Sequence, residues 1–311
     1  MMVWERLRVF AAVAEHGSVG AAAGALHITG PAVTQQIRKL ERETHTRLVE
    51  PDGRGIRLTA AGHVLASSAA RIATTVAEAE RDLATIHGQI VGPLRIGVVA
   101  SALRALLPDV LRTLTTEHPR LVPTVRDGEV VDLLPALRAR DLDAVVLESW
   151  SHRPARIPPG VRVTTLVTEP VLLAVPSGHP VADRALARLD ELTGEIWASC
   201  PDGTEAYEGL VQLLRALNVE PDVRYLAADF ATQLRLVAAG LAVAAVPGIA
   251  TDPPPEGVRF LPCEPALSRT LAVAVREQDD LPSLRALVDA LRDAAAQLVP
   301  GRARIPSPGQ R

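Results

Sequence analysis

Several polar side chains lie close together on one short stretch of the sequence, and their chemical types suit hydrogen bonding to a nucleic acid. The stretch follows Thr-Gly-Pro at residues 29–31 and contains Thr34, Gln35, Gln36, Arg38 and Lys39. In a helix, glutamine amides can pair with adenine, and an arginine can pair with guanine or a phosphate. A solvated helix of a globular enzyme more often carries Glu/Lys pairs on such a surface. The pattern therefore predicts a helix whose exposed side reads DNA.

Capping residues predict two consecutive helices joined by a short turn. Ser18 precedes an alanine-rich segment at residues 19–26, and Thr29 precedes the polar stretch. Both are residue types that cap helix N-termini, and Pro31 would occupy the first turn, where the missing N–H of proline costs nothing. The second helix is predicted to bury a stripe that contains Ala32, Val33, Ile37 and Leu40.

A β-hairpin is predicted directly after these helices, which completes a winged helix-turn-helix. Two short apolar runs, 48–49 and 56–58, flank the turn-rich sequence Pro-Asp-Gly-Arg-Gly at residues 51–55. Arg54 at the hairpin tip would reach a phosphate or the minor groove, and the hydroxyls of Ser18 and Thr29 suit phosphates. The predicted DNA interface contains Ser18, Thr29, Pro31, Ala32, Thr34, Gln35, Gln36, Arg38, Lys39 and Arg54.

The alternative interpretation of the N-terminal region is a small helical domain with a solvated face. Glu41, Glu43 and Glu50 lie close to the predicted interface and would dilute its positive charge. DNA binding would then depend on the geometry of the helix-turn-helix and on the presentation of two copies.

Composition excludes several other classes of protein. The chain has 311 residues, 48% of them hydrophobic and 22% charged, and a formal net charge of −3, so any nucleic-acid binding must come from a local surface. No apolar run is long enough to predict a membrane span, and the first residues lack a signal-peptide pattern. The two cysteines and scattered histidines predict no disulfide framework, metal site or cofactor. We expect a cytoplasmic protein.

The sequence pattern changes after Pro93, where short segments typical of β-strands alternate with segments typical of helices. This pattern predicts an α/β fold with parallel strands and crossover helices. Two such units within about 200 residues predict two lobes with a crevice between them. A Pro-Gly loop at 176–179 contains Ser177 and His179, but the nucleophile motif of hydrolases is missing, so no catalytic residue is predicted.

The N-terminal sequence resembles that of LysR-type transcriptional regulators. The resemblance lies in "SVGAAAGALHITGPAVTQQIRKLERETHTRLVE" and in the following "GRGIRLTAAGHVL". The family pattern is matched at Ser18, Ala21, Ala22, Leu26, His27, Thr29, Pro31, Ala32, Gln36, Ile37, Leu40, Glu41, Leu48, Leu58, Thr59 and Gly62. Gly30 stands where the family commonly has glutamine, and Val49 and Pro51 replace the usual Phe and Arg, so the operator of other members is not assumed.

The resemblance implies a domain order and a set of partners. Residues 1–59 would form the DNA-binding domain, 60–92 a linker helix and hinge that pairs with a second subunit, and 93–300 an effector-binding domain, with a disordered tail at 301–311. The effector domain would resemble periplasmic binding proteins, with two Rossmann-like lobes at about 93–166 plus 270–300 and at about 167–269. Expected partners are double-stranded DNA, a small-molecule effector, a homodimer or homotetramer and RNA polymerase, with no membrane.

Effector residues are predicted at the carboxyl ends of the strands, where such folds bind ligands. This rule selects Ser101, Glu129, Glu148, Asp202, Gly203, Thr204 and Phe230. Because several are acids and no arginine follows these strands directly, an amino acid or another amine is the expected effector. Asp229 is expected to be a helix cap.

Two alternatives to a ligand-responsive regulator remain open. One is a small-molecule binding or catalytic protein whose helical N-terminus is an oligomerisation module. The other is a redox regulator that uses Cys200, although a buried cysteine at the end of a strand is the expected state of that residue.

Overall fold

The computed structural model describes residues 3–52, 55–86 and 89–298, which form two compact units that divide between residues 87 and 88. Arg54, predicted at the tip of the hairpin, and the tail at 301–311, predicted to be disordered, lie outside the described residues. Each unit is built on its own core, so we describe them one at a time.

The first unit is a winged helix-turn-helix followed by a long helix. Its elements are α1 (Trp4–His16), α2 (Val19–Ala25), α3 (Gly30–Thr44), β1 (Val49–Asp52), β2 (Gly55–Leu58) and α4 (Ala60–Ile86). The strands β1 and β2 pair antiparallel, with Val49 opposite Leu58. This architecture confirms the predicted fold of the N-terminal region.

Side-chain caps start three of these helices, as their residue types predicted. The Oγ of Ser18 accepts a hydrogen bond from the Ala21 N–H at 3.1 Å, and the Oγ1 of Thr29 accepts one from the Ala32 N–H at 3.4 Å. Thr59 caps α4 in the same way through the N–H of Gly62 at 3.0 Å. Each bond satisfies one of the donors that a helix N-terminus leaves free.

The core of this unit joins α1, α3, the hairpin and the first half of α4. Phe10, Leu40 and Leu48 are buried together with Ala69 of α4. Ala69 therefore packs inside its own unit. On the exposed side of the same helix, Val64 is 71% and Leu83 63% exposed.

The second unit contains a nine-stranded sheet with helices packed on it. Its strands are β3 (Gly92–Val98), β4 (Leu121–Asp127), β5 (Ala144–Trp150), β6 (Val161–Pro176), β7 (Ala187–Arg188), β8 (Ile196–Ser199), β9 (Asp222–Leu226), β10 (Val243–Pro247) and β11 (Val258–Arg276). Its helices are α5 (Ala100–Ala105), α6 (Leu107–Glu117), α7 (Val130–Arg138), α8 (Glu205–Ala216), α9 (Phe230–Ala238) and α10 (Pro282–Leu298). The strand order is β4-β3-β5-β11-β6-β10-β8-β9, with β7 beside β11.

Two long strands connect the two halves of the sheet, which we call lobe 1 (β3–β5, α5–α7 and α10) and lobe 2 (β7–β10, α8 and α9). The strands β6 and β11 pair antiparallel along most of their length and pass through both lobes. The expectation of parallel strands was wrong for this pair. Threonines and prolines interrupt the apolar pattern of both strands, which hides much of their length from a search for apolar runs.

Gly62 permits the close approach between the hairpin and the start of α4. A Cβ added there would lie 2.1 Å from the backbone oxygen of Leu48 and 3.2 Å from the Cβ of Leu58. We predict that Gly62→Ala lowers the free energy of unfolding of the first unit by about 2–4 kcal/mol, because the backbone must move. Thermal unfolding measures this loss.

Gly20→Ala is the matched control, because Gly20 lies inside α2 with nothing within 4 Å of its added Cβ. Alanine is the better helix former, so this variant should gain about 0.5–1 kcal/mol. Equal stability of the two variants would contradict the close-approach argument.

Candidate nucleic-acid interface and effector cleft

The exposed side of α3 gathers the side chains that could read a nucleic acid. Gln35 and Arg38 are exposed, whereas Val33, Ile37 and Leu40 are buried. The other predicted residues of this helix lie between these extremes: Ala32, Thr34, Gln36 and Lys39 are half-buried, and Pro31 is exposed. Ala32 was predicted within the buried stripe and is only half-buried.

The hydroxyls at the helix starts are partly committed to the fold. Ser18 and Thr29 each accept a cap hydrogen bond, which leaves the hydroxyl proton of each free to donate to a phosphate. The Thr34 hydroxyl donates to the backbone oxygen of Gly30 at 3.1 Å, so it retains acceptor capacity. Thr34 is therefore suited to a donor on a base edge rather than to a phosphate.

The nearby acids, which could dilute the positive charge, are bound to the first unit itself. Glu41 Oε1 accepts from the Leu48 N–H at 2.9 Å, Glu43 pairs with Arg6, and Glu50 pairs with Arg57 at 3.0 Å. Within the described part of the chain, Arg38, Lys39, Arg42 and Arg47 have no carboxylate partner. The α3 surface therefore presents net positive charge although the chain is negative overall.

A buried guanidinium lies where effector contacts were predicted. Arg269 of β11 is fully buried and donates to Glu148 Oε2 at 2.7 Å, to Ser101 Oγ at 2.8 Å and to Glu169 Oε1 at 2.5 Å. Burial opposes its charge, but the carboxylates of Glu148 and Glu169 outweigh that effect and raise the pKa of Arg269. No arginine directly follows these strands, as expected, but Arg269 reaches their ends from within β11. Glu148 is therefore not available to an amine, since both of its carboxylate oxygens accept hydrogen bonds within the protein.

Aromatic rings enclose the same guanidinium and leave little free space. The Cζ of Arg269 lies 6.0 Å from the ring centre of Trp150 and 5.8 Å from that of Phe230. The adjoining cavity, lined also by Ser199, Cys200 and Gln233, measures about 20 Å³. That volume holds about one water molecule, which is far below the size of an effector. Phe230 thus belongs to the packing around Arg269 in this state.

The remaining predicted effector residues surround the outer part of the cleft. Thr204 caps α8 by accepting from the Tyr207 N–H at 3.3 Å, Gly203 adopts a positive φ of 81°, and Asp202 is exposed. Glu129 of lobe 1 and Glu205 of lobe 2 are close enough to interact electrostatically. The predicted residues therefore divide between the filled cleft floor around Arg269 and a cleft mouth at which Asp202 and Gly203 are exposed and Thr204 is buried.

The carboxyl of Glu129 is poised to titrate near neutrality. Its burial, together with the neighbouring carboxylates of Glu148, Asp127, Glu205 and Asp132, raises its pKa from the ordinary 4.5 to about 7. Burial also raises the pKa of Glu205.

The predicted cap role of Asp229 is confirmed. Its carboxylate accepts hydrogen bonds from the N–H groups of Ala231 and Thr232 and also pairs with Arg104.

Family models match both units. The model of the bacterial regulatory helix-turn-helix protein of the lysR family matches residues 4–63, and that of the LysR substrate binding domain matches residues 87–296. The chain belongs to the LysR family of transcriptional regulators. It is a DNA-binding transcriptional regulator with an effector-binding domain, and its relatives are regulators rather than enzymes.

Individual relatives agree with this membership along almost the whole chain. The chain is 30% identical over 291 residues to the DNA-binding transcriptional dual regulator OxyR of Escherichia coli K12, covering 92% of this chain and 93% of OxyR. It is 31% identical over 309 residues to TfdS of Cupriavidus pinatubonensis, covering 95% and 100%. Full-length CbnR in complex with its target DNA has the same fold, with a TM-score of 0.68, 24% identity and coverage of 94% and 100%.

The two cysteines are buried in different parts of this LysR-type chain. Cys200 contacts the Gln233 amide at 3.6 Å, whereas Cys263 belongs to a separate cluster of lobe 2. Burial raises the pKa of Cys200 well above its ordinary range, and it raises that of Cys263 to about 11. Reactive thiols have lowered pKa values, so this geometry does not favour the redox alternative.

Among the residues that the structure describes, no group of three or more His, Cys, Asp or Glu side chains could hold a metal ion. None of the helices described for the LysR-type chain is long and apolar enough to cross a membrane.

Arg269 should be strongly coupled to the stability of the effector domain. Removing it in Arg269→Met leaves Glu148 and Glu169 as uncompensated buried charges, which we predict costs about 3–5 kcal/mol. Urea unfolding followed by tryptophan fluorescence measures the loss. The control Arg259→Met changes an exposed arginine on the same strand and should cost little. The triple variant Glu148→Gln/Glu169→Gln/Arg269→Met removes the buried charges as well and should recover part of the lost free energy of unfolding. A small loss of stability in Arg269→Met, or no recovery in the triple variant, would contradict this prediction.

Glu129 should make stability pH-dependent with a definite sign. Its folded pKa exceeds its unfolded pKa, so the native state binds the extra proton between about pH 4.5 and 7 and loses stability as the pH rises through that window. Because the side chain is half-buried, solvent screening reduces the effect to about 1–2 kcal/mol. Glu129→Gln should therefore gain stability over the wild type at pH 8 but not at pH 5. The matched control is Glu117→Gln, which changes an exposed glutamate at the end of α6 that is not among the carboxylates raising the pKa of Glu129. The same measurements on this variant should show no such crossover.

Proposed function

We propose that α3 reads the major groove of double-stranded DNA. The observation that carries the proposal is the exposed Gln35–Arg38 surface of α3, whose neighbouring acids are all bound within the unit. Base-edge contacts are assigned to Thr34, Gln35, Gln36 and Arg38, and backbone contacts to Ser18, Thr29, Pro31, Ala32, Lys39 and Arg54. In winged helix-turn-helix proteins the second helix enters the groove in this way.

The chain acts as a homodimer or homotetramer in this proposal, paired through α4. Val64, Ile72 and Leu83 are large apolar residues that lie exposed on this helix. Their spacing of 8 and 11 residues brings them to one side of an α-helix. Burying this row against a second α4 would remove apolar surface from water and present two reading helices to a pseudo-palindromic site.

We propose domain boundaries that separate DNA binding, dimer formation and effector binding. We assign 1–59 to DNA binding, 60–92 to the linker helix and hinge, and 93–300 to effector binding, with lobe 1 at about 93–166 and 270–300 and lobe 2 at about 167–269. The protein would act in the cytoplasm, where its DNA lies, and RNA polymerase is a further proposed partner. Residues 301–311 are assigned as a tail.

The effector would act by shifting an equilibrium between two arrangements of the lobes. A ligand that binds one arrangement better than the other changes their populations by its differential affinity. We propose that it contacts the outer cleft residues Glu129, Asp202, Gly203 and Thr204. Ser101, Glu148 and Phe230 would respond through Arg269, which holds all three in one cluster.

Salt-dependent DNA affinity distinguishes this function from that of a ligand-binding protein with an oligomerisation module. We predict that the wild-type chain selects a DNA duplex from a pool of random sequences. Arg38→Ala should weaken the free energy of binding to that duplex by about 1–3 kcal/mol. A gel mobility-shift titration at several salt concentrations measures both affinity and salt slope. If Arg38 contacts phosphate instead, the variant lowers the magnitude of the slope by about 1.

Arg224→Ala is the control for charge alone, because this exposed arginine of β9 is paired with Asp222 in the other unit. Its duplex affinity should equal that of the wild type. A wild-type chain that selects no duplex, or an Arg38→Ala variant that binds as tightly as the wild type, would rule out the proposed reading helix.

A further inference from the structure

A groove opens between the lobes at the mouth of the cleft. It is lined by α7 and the segment 153–158 of lobe 1 and by Gly203 and Glu205 of lobe 2, and it has a volume of about 470 Å³. Small-molecule sites in proteins typically have volumes of about 300–1,000 Å³. The groove therefore has the size of a ligand site, which the closed floor of the cleft lacks.

Three arginines line this groove without carboxylate partners. Among the described residues, the guanidinium groups of Arg138, Arg153 and Arg156 form no hydrogen bond or ion pair with an acid. Glu205 is the one acid among the groove's lining residues. Burial raises the pKa of its carboxyl group, whereas the nearby charge of Arg153 lowers it. The lining thus carries an excess of at least two positive charges.

The rest of the lining is apolar. Val131 of α7 is 55% exposed, and Pro154 and Pro158 belong to the segment that follows β5. Proline-rich walls keep their shape with little conformational entropy left to lose. A ligand for this groove would combine anionic groups with a compact body.

We propose that the groove binds a small organic dianion, whose phosphate or paired carboxylate oxygens meet the guanidinium forks of Arg138, Arg153 and Arg156. Arginine matches the planar geometry of both oxyanions and can bind them through two parallel hydrogen bonds. The inference rests on the proposed function, because it names the effector class of the same domain. It replaces the expectation of an amine, one of whose expected partners, Glu148, is already paired with Arg269.

A ligand at this position would be coupled to the regulator's conformation. The arginines belong to lobe 1, whereas Gly203 and Glu205 belong to lobe 2, so the groove changes width when the lobes move. Arg153 also lies against lobe 2 directly, since its Cβ would be 3.2 Å from a Cβ added at Gly209. Dianion binding would therefore favour one lobe arrangement over the other.

Isothermal titration of the full-length protein at constant ionic strength tests the proposal. The dianion probes are glycerol phosphate and succinate at pH 8, which distinguish phosphate from carboxylate recognition, and the comparison probes are benzoate and putrescine. We expect saturable binding of at least one dianion. Its Kd should rise about tenfold or more in Arg153→Gln/Arg156→Gln, which retains the aliphatic stems.

Arg138→Gln changes the opposite wall at an exposed position and should weaken the same dianion, even if the double variant folds poorly. Arg112→Gln is the matched control, because this exposed arginine of α6 pairs with Asp109 away from the groove. Three results would overturn the inference: unchanged dianion affinity in both groove variants, saturable binding of putrescine instead of a dianion, or no binding of either dianion. DNA binding tests the proposed function separately. A wild-type chain that binds a DNA duplex supports that function even if the dianion inference fails, and a chain that binds no duplex rejects it.

Discussion

The arrangement of the effector domain depends on one buried charge, the guanidinium of Arg269. Taking such a group out of water costs several kcal/mol unless hydrogen bonds and opposite charges replace its hydration. Here Glu148 and Glu169 supply the charges, Ser101 supplies a hydroxyl, and two aromatic rings supply the remaining contacts. Because every partner is necessary to offset the cost, the elements that carry them must stay in register.

Those elements come from both lobes and meet where the long strands cross between them. Glu169 of β6 also accepts the N–H of Ile249, which follows β10 of lobe 2, at 2.5 Å. Ser101 lies on α5 of lobe 1, and Arg104 of the same helix pairs with Asp229 at the start of α9. The short helix α5 is thus tied to lobe 2 by a buried network and by a half-exposed ion pair. A change in lobe separation would have to break or tilt these contacts, so the contacts of α5 and the crossing strands oppose separation of the lobes.

Local signals predicted the first unit well, and non-local pairings limited the prediction of the second. The caps at Ser18, Thr29 and Thr59 depend on residues three positions away, which the sequence displays directly. Arg269, in contrast, lies opposite Glu169 only because of the register in which β6 and β11 pair. One signal was visible: Glu148 and Arg269 are charged residues next to strongly apolar strand segments, and a buried charge requires a partner. Recognising the pair required the strand register, which periodicity alone does not supply.

The same principle of internal neutralisation explains how a chain of net charge −3 can present a surface for DNA. In the first unit, Glu41 is held by backbone N–H groups, and Glu43 and Glu50 are held by arginines that lie outside α3. These acids stabilise the fold while their charges are offset locally, and the cations on the exposed side of α3 keep theirs. In the groove of the effector domain, three arginines again have no carboxylate partner among the described residues, whereas Glu148 and Glu169 of the cleft floor pair with Arg269. Both candidate binding surfaces therefore owe their positive charge to arginines that the fold leaves unpaired.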